Sequence, residues 1–182
     1  MQNLKGKIIV LGIGGGIAAY KSCELVRLLV KGGAGVHVVM TAAAKEFVTP
    51  LTLQTLSMNP VSTDFFDLTQ ESQISHIALA DRADLVVIAP ATADLIAKAA
   101  NGLANDLLTN ILLATRAPVL FCPSMNVHMW EHKATQANVK RIKELGYQMM
   151  EPDSGDLACG YEGKGRLCEP KAIVENISTF LK

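Results

Sequence analysis

The sequence predicts an α/β domain: a doubly wound parallel sheet in a three-layer sandwich. Three observations carry this. Strand-type runs alternate with helix-type runs along the 182 residues, the pattern of βαβ units. The strand runs are continuously apolar, which suits strands covered by helices on both faces. Hydrophobic residues reach 49% while aromatics make up 5%, so the core is built from Ala, Val, Ile and Leu rather than rings.

The elements follow in order. Lys7–Ile13 is a short β-branched run ending in glycines, and Ile17–Lys31 has helical length until Gly32-Gly33 stops it. Val36–Met40 is the second strand. Ala42–Phe47 and Pro50–Leu56 read as short helices broken by Pro50. Asp84–Ala89 is an unbroken apolar strand closed by Pro90, followed by helices over Ala93–Ala100 and Asn105–Thr115. Pro118–Cys122 is a strand ended by Pro123. Asn126–Leu145 is largely helical up to Gly146, and Tyr147–Met150 is a last short strand. Pro152–Arg166 is polar and holds Gly155, Gly160, Gly163 and Gly165, so it reads as a long loop. Pro170–Leu181 closes the chain as a helix with Ile173, Val174, Ile177 and Leu181 on one face. No repeat and no linker sets off a second core, so residues 1–182 are expected to form one domain.

Composition excludes several classes. The 17 basic and 17 acidic residues cancel to zero net charge, so nothing tracks a phosphate backbone and nucleic acid is not an expected partner. Apolar content at that charge is too high for disorder. The longest charge-free run, Phe47 to Thr63, contains two prolines and cannot span a bilayer. The first residues lack an apolar signal core, and free thiols then suggest the cytoplasm. The cysteines at 23, 122, 159 and 168 form no Cys-x-x-Cys pair, so no metal site is expected. A neutral, apolar chain must hide surface, which favours a homo-oligomer.

Doubly wound sheets bind ligands beyond the carboxyl ends of their strands. The stretches to test are therefore Gly12–Gly16, Thr41, Pro90–Asp94 and Pro123–Asn126. The first, Gly12-Ile13-Gly14-Gly15-Gly16-Ile17, opens a helix whose first N–H groups favour a phosphate. Ile17 stands where the dinucleotide fingerprint needs a glycine, and strand two ends Val39-Met40-Thr41 without its ribose-binding acid. No Gly-Lys-Ser/Thr follows, which excludes a Walker loop. A mononucleotide phosphate held by backbone amides and the Thr41 hydroxyl remains, beside a tight turn that holds nothing.

Four more positions carry two readings each. His76 is a surface histidine or a general base titrating near neutrality. Pro90-Ala91-Thr92-Ala93 and Pro123-Ser124-Met125-Asn126 are proline-started turns that let small side chains and backbone amides approach a flat ring. Asn126 is a helix cap, or a donor and acceptor for a carboxylate. Cys159, in the polar glycine-rich stretch, is an incidental thiol or a proton donor on an active-site lid. Cys23 and Cys122 sit in apolar elements and read as small buried hydrophobes.

Taken together, the motifs resemble the flavin-containing cysteine decarboxylases. The matching stretches are Gly15-Gly16-Ile17-Ala18-Ala19-Tyr20-Lys21, Met40-Thr41, His76, Ala83-Asp84-Leu85, and Ala89 to Asp94. They continue with Gly102 to Leu108, Pro123-Ser124-Met125-Asn126 with Met129-Trp130, and Ala158-Cys159-Gly160 with Gly163-x-Gly165-Arg166. Each is weak alone, but they cover nearly the whole chain in the family order.

The resemblance implies a flavodoxin-like, Rossmann-like sheet that holds FMN, in trimers that assemble further into dodecamers. It places the FMN phosphate on Gly14, Gly15, Gly16, Ile17 and Thr41. Pro90, Ala91, Thr92, Ala93 and Ser124 border the flavin, and Phe47 reaches a neighbour's cofactor. The implied reaction decarboxylates 4'-phospho-N-pantothenoylcysteine to 4'-phosphopantetheine in coenzyme A biosynthesis. In it His76 is the base, Asn126 holds the substrate carboxylate, and FMN takes a hydride from the carbon bearing sulfur. The thioaldehyde sheds carbon dioxide, and the enethiol is protonated from Cys159 and reduced again. Met125, Ala158 and Gly160 complete the substrate contacts. Metal is not required. Two positions depart from the usual pattern: Gly14 replaces a common Ser, and Ser124 a common Ala. Some members carry a fused nucleotide-dependent ligase domain after this one. A peptidyl-cysteine decarboxylase, a flavin prenyltransferase and a non-catalytic flavin-binding regulator are the alternatives within the same architecture.

Overall fold

A computed structural model describes residues 4–64, 76–156, 160 and 162–181, with His76 and Asp156 described by backbone alone. Five parallel strands form the central sheet: β1 (Ile8–Ile13), β2 (Gly35–Met40), β3 (Leu85–Ala91), β4 (Val119–Pro123) and β5 (Gln148–Met149). Their order is β2-β1-β3-β4-β5, the doubly wound order whose direction of winding reverses between β1 and β3.

Side chains leave a strand alternately, so one apolar run serves two cores. Ile9, Leu11, Ile13, Leu85 and Val87 face a core shared with Leu25 and Leu29 of α1 (Ala19–Lys31) and with Ile173 and Ile177 of α8 (Pro170–Phe180). Val10, Val86, Ile88 and Phe121 face the second core. There they meet Leu95 and Ile96 of α4 (Ala93–Ala100), Leu108 and Ile111 of α5 (Leu107–Ala114), and Ile142 of α7 (Lys133–Glu144). Each such aliphatic side chain contributes roughly 1.5–3 kcal/mol of transfer free energy when fully buried. The β3 strand is buried along its whole length, as a continuous apolar run requires. Gly12 permits the close approach of α5 to the sheet, since a Cβ there would stand 2.5 Å from Leu108 Cδ1.

Local chemistry sets the boundaries. Thr92 caps α4 by accepting from Leu95 N–H at 3.3 Å, and Asp106 with Thr109 forms a reciprocal capping box on α5. Thr41 caps a short 3-10 helix (Ala42–Glu46), and Pro50 starts α2 (Pro50–Ser57). The remaining helices are α3 (His76–Arg82) and α6 (Val127–Glu131).

Four expectations need correction. The stretch 152–166, expected as a loop, holds an antiparallel hairpin of β6 (Asp153–Asp156) and β7 (Glu162–Arg166). Its glycines adopt extended conformations at positive φ, such as 144° at Gly155, which sequence rules score as turns. The helix expected over 126–145 is two helices, because His132 is extended (ψ 134°) and its Nδ1 accepts from Ala134 N–H to restart the chain as α7. The first helix begins at Ala19 rather than Ile17, after a tight turn in which Ala19 N–H donates to Gly16 O at 2.9 Å. Finally, β3 continues through Pro90 to Ala91, with a register shift between Ile88 and Ala91.

Candidate functional site

The winding reversal opens a crevice at the carboxyl ends of β1, β3 and β4, and a cavity of about 500 Å³ fills it. Gly15, Gly16, Ile17 and Ala18 of the first turn line one wall, Thr92 and Ala93 the floor, and Ser124, Met125 and Asn126 the third strand end. Tyr20 and Lys21 of α1, Met129 of α6, and Gly165 and Arg166 of β7 complete it. Three of the stretches singled out from sequence thus meet here, contributed by strands far apart in the chain.

The strand ends are locked together by their carbonyls. Ser22 Oγ donates to Ala89 O at 2.8 Å, Gly14 N–H donates to Pro90 O at 3.1 Å, and Ser124 N–H donates to Ala91 O at 3.0 Å. Gly14 is therefore a spacer. A Cβ there would stand 2.6 Å from Pro90 O and 2.8 Å from Leu95 Cδ1, which explains the smallest residue at this position. Its N–H is already used by Pro90. Gly15 presses in the same way on Ala43, at 2.7 Å from the backbone carbon of that residue. Among the described residues, the N–H groups of Gly15, Gly16, Ile17 and Ala18 donate to no protein acceptor. Four orphan donors at a helix start are what a phosphate takes up.

Other expected residues stand differently. Thr41, Pro90 and Ala91 do not line the cavity. The Thr41 hydroxyl donates to Ile13 O at 3.3 Å and accepts from Ala44 N–H at 3.2 Å, so it serves as a cap. Pro90 and Ala91 act through the carbonyls that hold Gly14 and Ser124. Phe47 ends the 3-10 helix, half exposed and away from this cavity. Asn126 caps α6, its Oδ1 accepting from His128 N–H at 2.8 Å, and it also lines the cavity. His76 opens α3. Ala158 and Cys159 lie outside the described residues, and Gly160 is exposed between them and β7.

The hairpin reaches the site through its glycines. Met125 N–H donates to Gly165 O at 3.0 Å, and any Cβ on Gly165 would collide with Met125 O. Gly163 presses on Val127, with 2.7 Å from a would-be Cβ to Cγ2. The Gly-x-Gly spacing of two puts both glycines on one face of β7, flat against the start of α6. Opposite them, Lys164 Nζ binds Glu151 at 2.7 Å and lies 6.0 Å above the Trp130 ring. Hydrogen bonding from Lys164 holds the Glu151 carboxyl below its ordinary value.

Sequence reasoning gave no role to Tyr20, Lys21, Met129 or Arg166. Lys21 follows Ile17 by four residues, one helical turn on, and that spacing could have placed it on the site. Lys21 Nζ donates to Glu169 at 2.8 Å and lies 3.4 Å from Leu167 O. That bond, with Arg166 nearby, holds the Glu169 carboxyl below its usual range. Burial raises the thiols of Cys23 and Cys122, and burial together with the Asp153 carboxylate pushes Cys168 up to about 11. Among the described residues no cluster of His, Cys, Asp and Glu has the makings of a metal site, and no helix is long and apolar enough to cross a membrane.

A family model described as Flavoprotein matches residues 1–182, and the chain belongs to that flavoprotein family. Among individual proteins, it is 53% identical over 180 residues to the coenzyme A biosynthesis bifunctional protein CoaBC of Vibrio cholerae, covering 99% of this chain and 45% of that protein. It is 52% identical to CoaBC of Bacillus subtilis over 172 residues, 94% of this chain and 42% of the relative. The chain thus spans less than half the length of these curated relatives. Among solved structures it is similar to a cysteine-to-serine mutant of PPC decarboxylase complexed with pantothenoylaminoethenethiol. The TM-score there is 0.85 at 30% identity, covering 96% of this chain and 98% of that one. The FMN-dependent cysteine decarboxylase SpaF gives a TM-score of 0.81 at 31% identity, over 98% and 97% of the two chains.

Proposed function

We propose that residues 1–182 act as one FMN-dependent decarboxylase domain, converting 4'-phospho-N-pantothenoylcysteine to 4'-phosphopantetheine in coenzyme A biosynthesis. The observation that carries this reading is the crevice between β1 and β3. Orphan amides of Gly15 to Ala18 and the carboxylate-capable Asn126 line one cavity there, in a chain half identical to CoaBC proteins. The residues fit FMN. The four orphan donors suit its phosphate, and a would-be Cβ on Gly16 meets only Thr92 Cγ2 at 4.0 Å, so the turn opens onto free space. The small Thr92, Ala93 and Ser124 leave room for a flat ring.

When bound, FMN supplies reversible two-electron chemistry at the carbon bearing the substrate sulfur. The chain's own residues do the rest. His76 takes the thiol proton. Asn126 donates from its amide to the carboxylate while its Oδ1 stays on the α6 cap, which orients the bond that breaks. Cys159 returns a proton once carbon dioxide has left. The hairpin strand β7 is tied to Met125 through Gly165 and borders the same cavity.

The CoaBC relatives are about twice this length, and a fused phosphopantothenate-cysteine ligase domain would accompany this one in a bifunctional protein of that kind. Trimers, and dodecamers built of four such trimers, would cover the exposed Phe47, Leu51 and Met58. The buried free thiols suit the reducing cytoplasm.

The test is direct. The flavin-loaded chain should release carbon dioxide from 4'-phospho-N-pantothenoylcysteine and leave a peptide with C-terminal cysteine untouched. Preference for the peptide would move the assignment to the peptidyl-cysteine decarboxylases. A colourless protein that takes up no FMN would remove the cofactor assignment.

A further inference from the structure

We infer that Arg166 is the residue that selects a phosphorylated substrate: its guanidinium receives the phosphate at the far end of the acyl-cysteine chain. The inference deepens the proposed function and rests on it. Among the described residues lining the cavity, Lys21 and Arg166 carry the only positive charges, and no carboxylate lines it.

The two cations are not equivalent. Lys21 is 12% exposed and already bound to Glu169 at 2.8 Å and to a backbone carbonyl. Arg166 is 40% exposed, and its ion pair with the same Glu169 oxygen is long, at 3.6 Å. One carboxylate cannot satisfy an ammonium and a five-donor fork together, so the guanidinium keeps donors for a ligand. Its position is also built. The arginine side chain lies along Gly155 of β6, where a Cβ would stand 2.9 Å from Arg166 Nη1 and 3.4 Å from its Cδ. The next residue on β7, Gly165, is bonded to Met125 beside Asn126. One strand thereby fixes the distance between the cation and the carboxylate-binding end of the cavity. A substrate with an anion at each end fits that arrangement, and a peptide without a phosphate does not. The orphan amides of Gly15 to Ala18 serve the cofactor's phosphate, which leaves the second phosphate to Arg166.

The experiment compares the flavin-loaded wild type with Arg166→Gln and Arg166→Lys, on pantothenoylcysteine with and without its 4'-phosphate. Affinity for 4'-phosphopantetheine and for pantetheine is measured by titration alongside. Losing a charge-assisted contact should lower kcat/KM for the phosphorylated substrate roughly 10- to 100-fold in Arg166→Gln, mostly through KM. The dephosphorylated substrate should change less than about threefold. Arg166→Lys should recover part of the loss, and phosphopantetheine affinity should follow the same order. Equal losses on both substrates, or no loss on either, would overturn the inference. So would loss of FMN from Arg166→Gln, which would assign the guanidinium to the cofactor. Turnover of neither compound by the wild type would overturn the proposed function and this inference with it.

Discussion

His76 and Asn126 ask different questions of the same reaction. His76→Asn removes the base and keeps a polar side chain, so carbon dioxide release should cease while the bound flavin spectrum persists. Full activity in that variant would reject the base. Asn126 has a structural duty and a chemical one, and Asn126→Asp separates them. Aspartate caps a helix as well as asparagine does, so the urea midpoint should hold within about 0.5 kcal/mol. A second negative charge facing the substrate carboxylate should nonetheless cost at least about 100-fold in kcat/KM. Unchanged kinetics would leave Asn126 as a cap only. Cys159→Ser should still oxidise and decarboxylate the substrate but accumulate the enethiol, seen by mass spectrometry; normal yields of phosphopantetheine would refute the proton-donor role.

At the scale of elements, the turn after β1 and the hairpin β6–β7 build the site by close approach. Gly14→Ala forces a methyl against the Pro90 carbonyl, a backbone atom that cannot step aside. It should destabilise the fold by about 1–3 kcal/mol in urea unfolding, and weaken FMN retention through the displaced amides. His37 in β2 tests the sheet itself. Burial, aided by the Arg82 charge, lowers its pKa from the ordinary 6.5. The unfolded chain therefore binds the proton more readily than the folded one. The stability His37 confers is full above pH 6.5 and is lost as pH falls from there through the lower folded value. The urea midpoint should drop between pH 7.5 and 5.5, and His37→Gln should flatten that drop; an unchanged slope would contradict it. These elements also mark what could be read in advance. Strands β1, β3 and β4 were legible because an uninterrupted apolar run has one home in a doubly wound sheet. The turns that line the cavity were legible because the sheet's winding places them. The hairpin was not, since four glycines in a polar stretch signal a loop unless one knows what they press against. Gly163 and Gly165 are there for Val127 and Met125, contacts made across about 40 residues of sequence. Arg166, quoted only as part of a motif, had no role for the same reason.

For the whole molecule, the zero net charge and high apolar content are divided between two buried cores and an exposed rim. Ile17 and Tyr20 are each 59% exposed and Met129 is 49% exposed, all on the lip of the cavity. Large apolar side chains at a cavity mouth signal a cover, and the proposed trimer supplies one. Sedimentation should give a mass of at least three 19.5 kDa chains; a monomer that retains FMN and activity would separate the site from assembly. The central claim is a decarboxylation with no net oxidation. The measurement that tests it most directly is an anaerobic turnover of 4'-phospho-N-pantothenoylcysteine by the flavin-loaded chain, counting carbon dioxide and phosphopantetheine together. One of each is expected per substrate consumed, over many turnovers, with no external oxidant or reductant. Turnover that stops after one equivalent per flavin, or that releases an oxidised product, would contradict it.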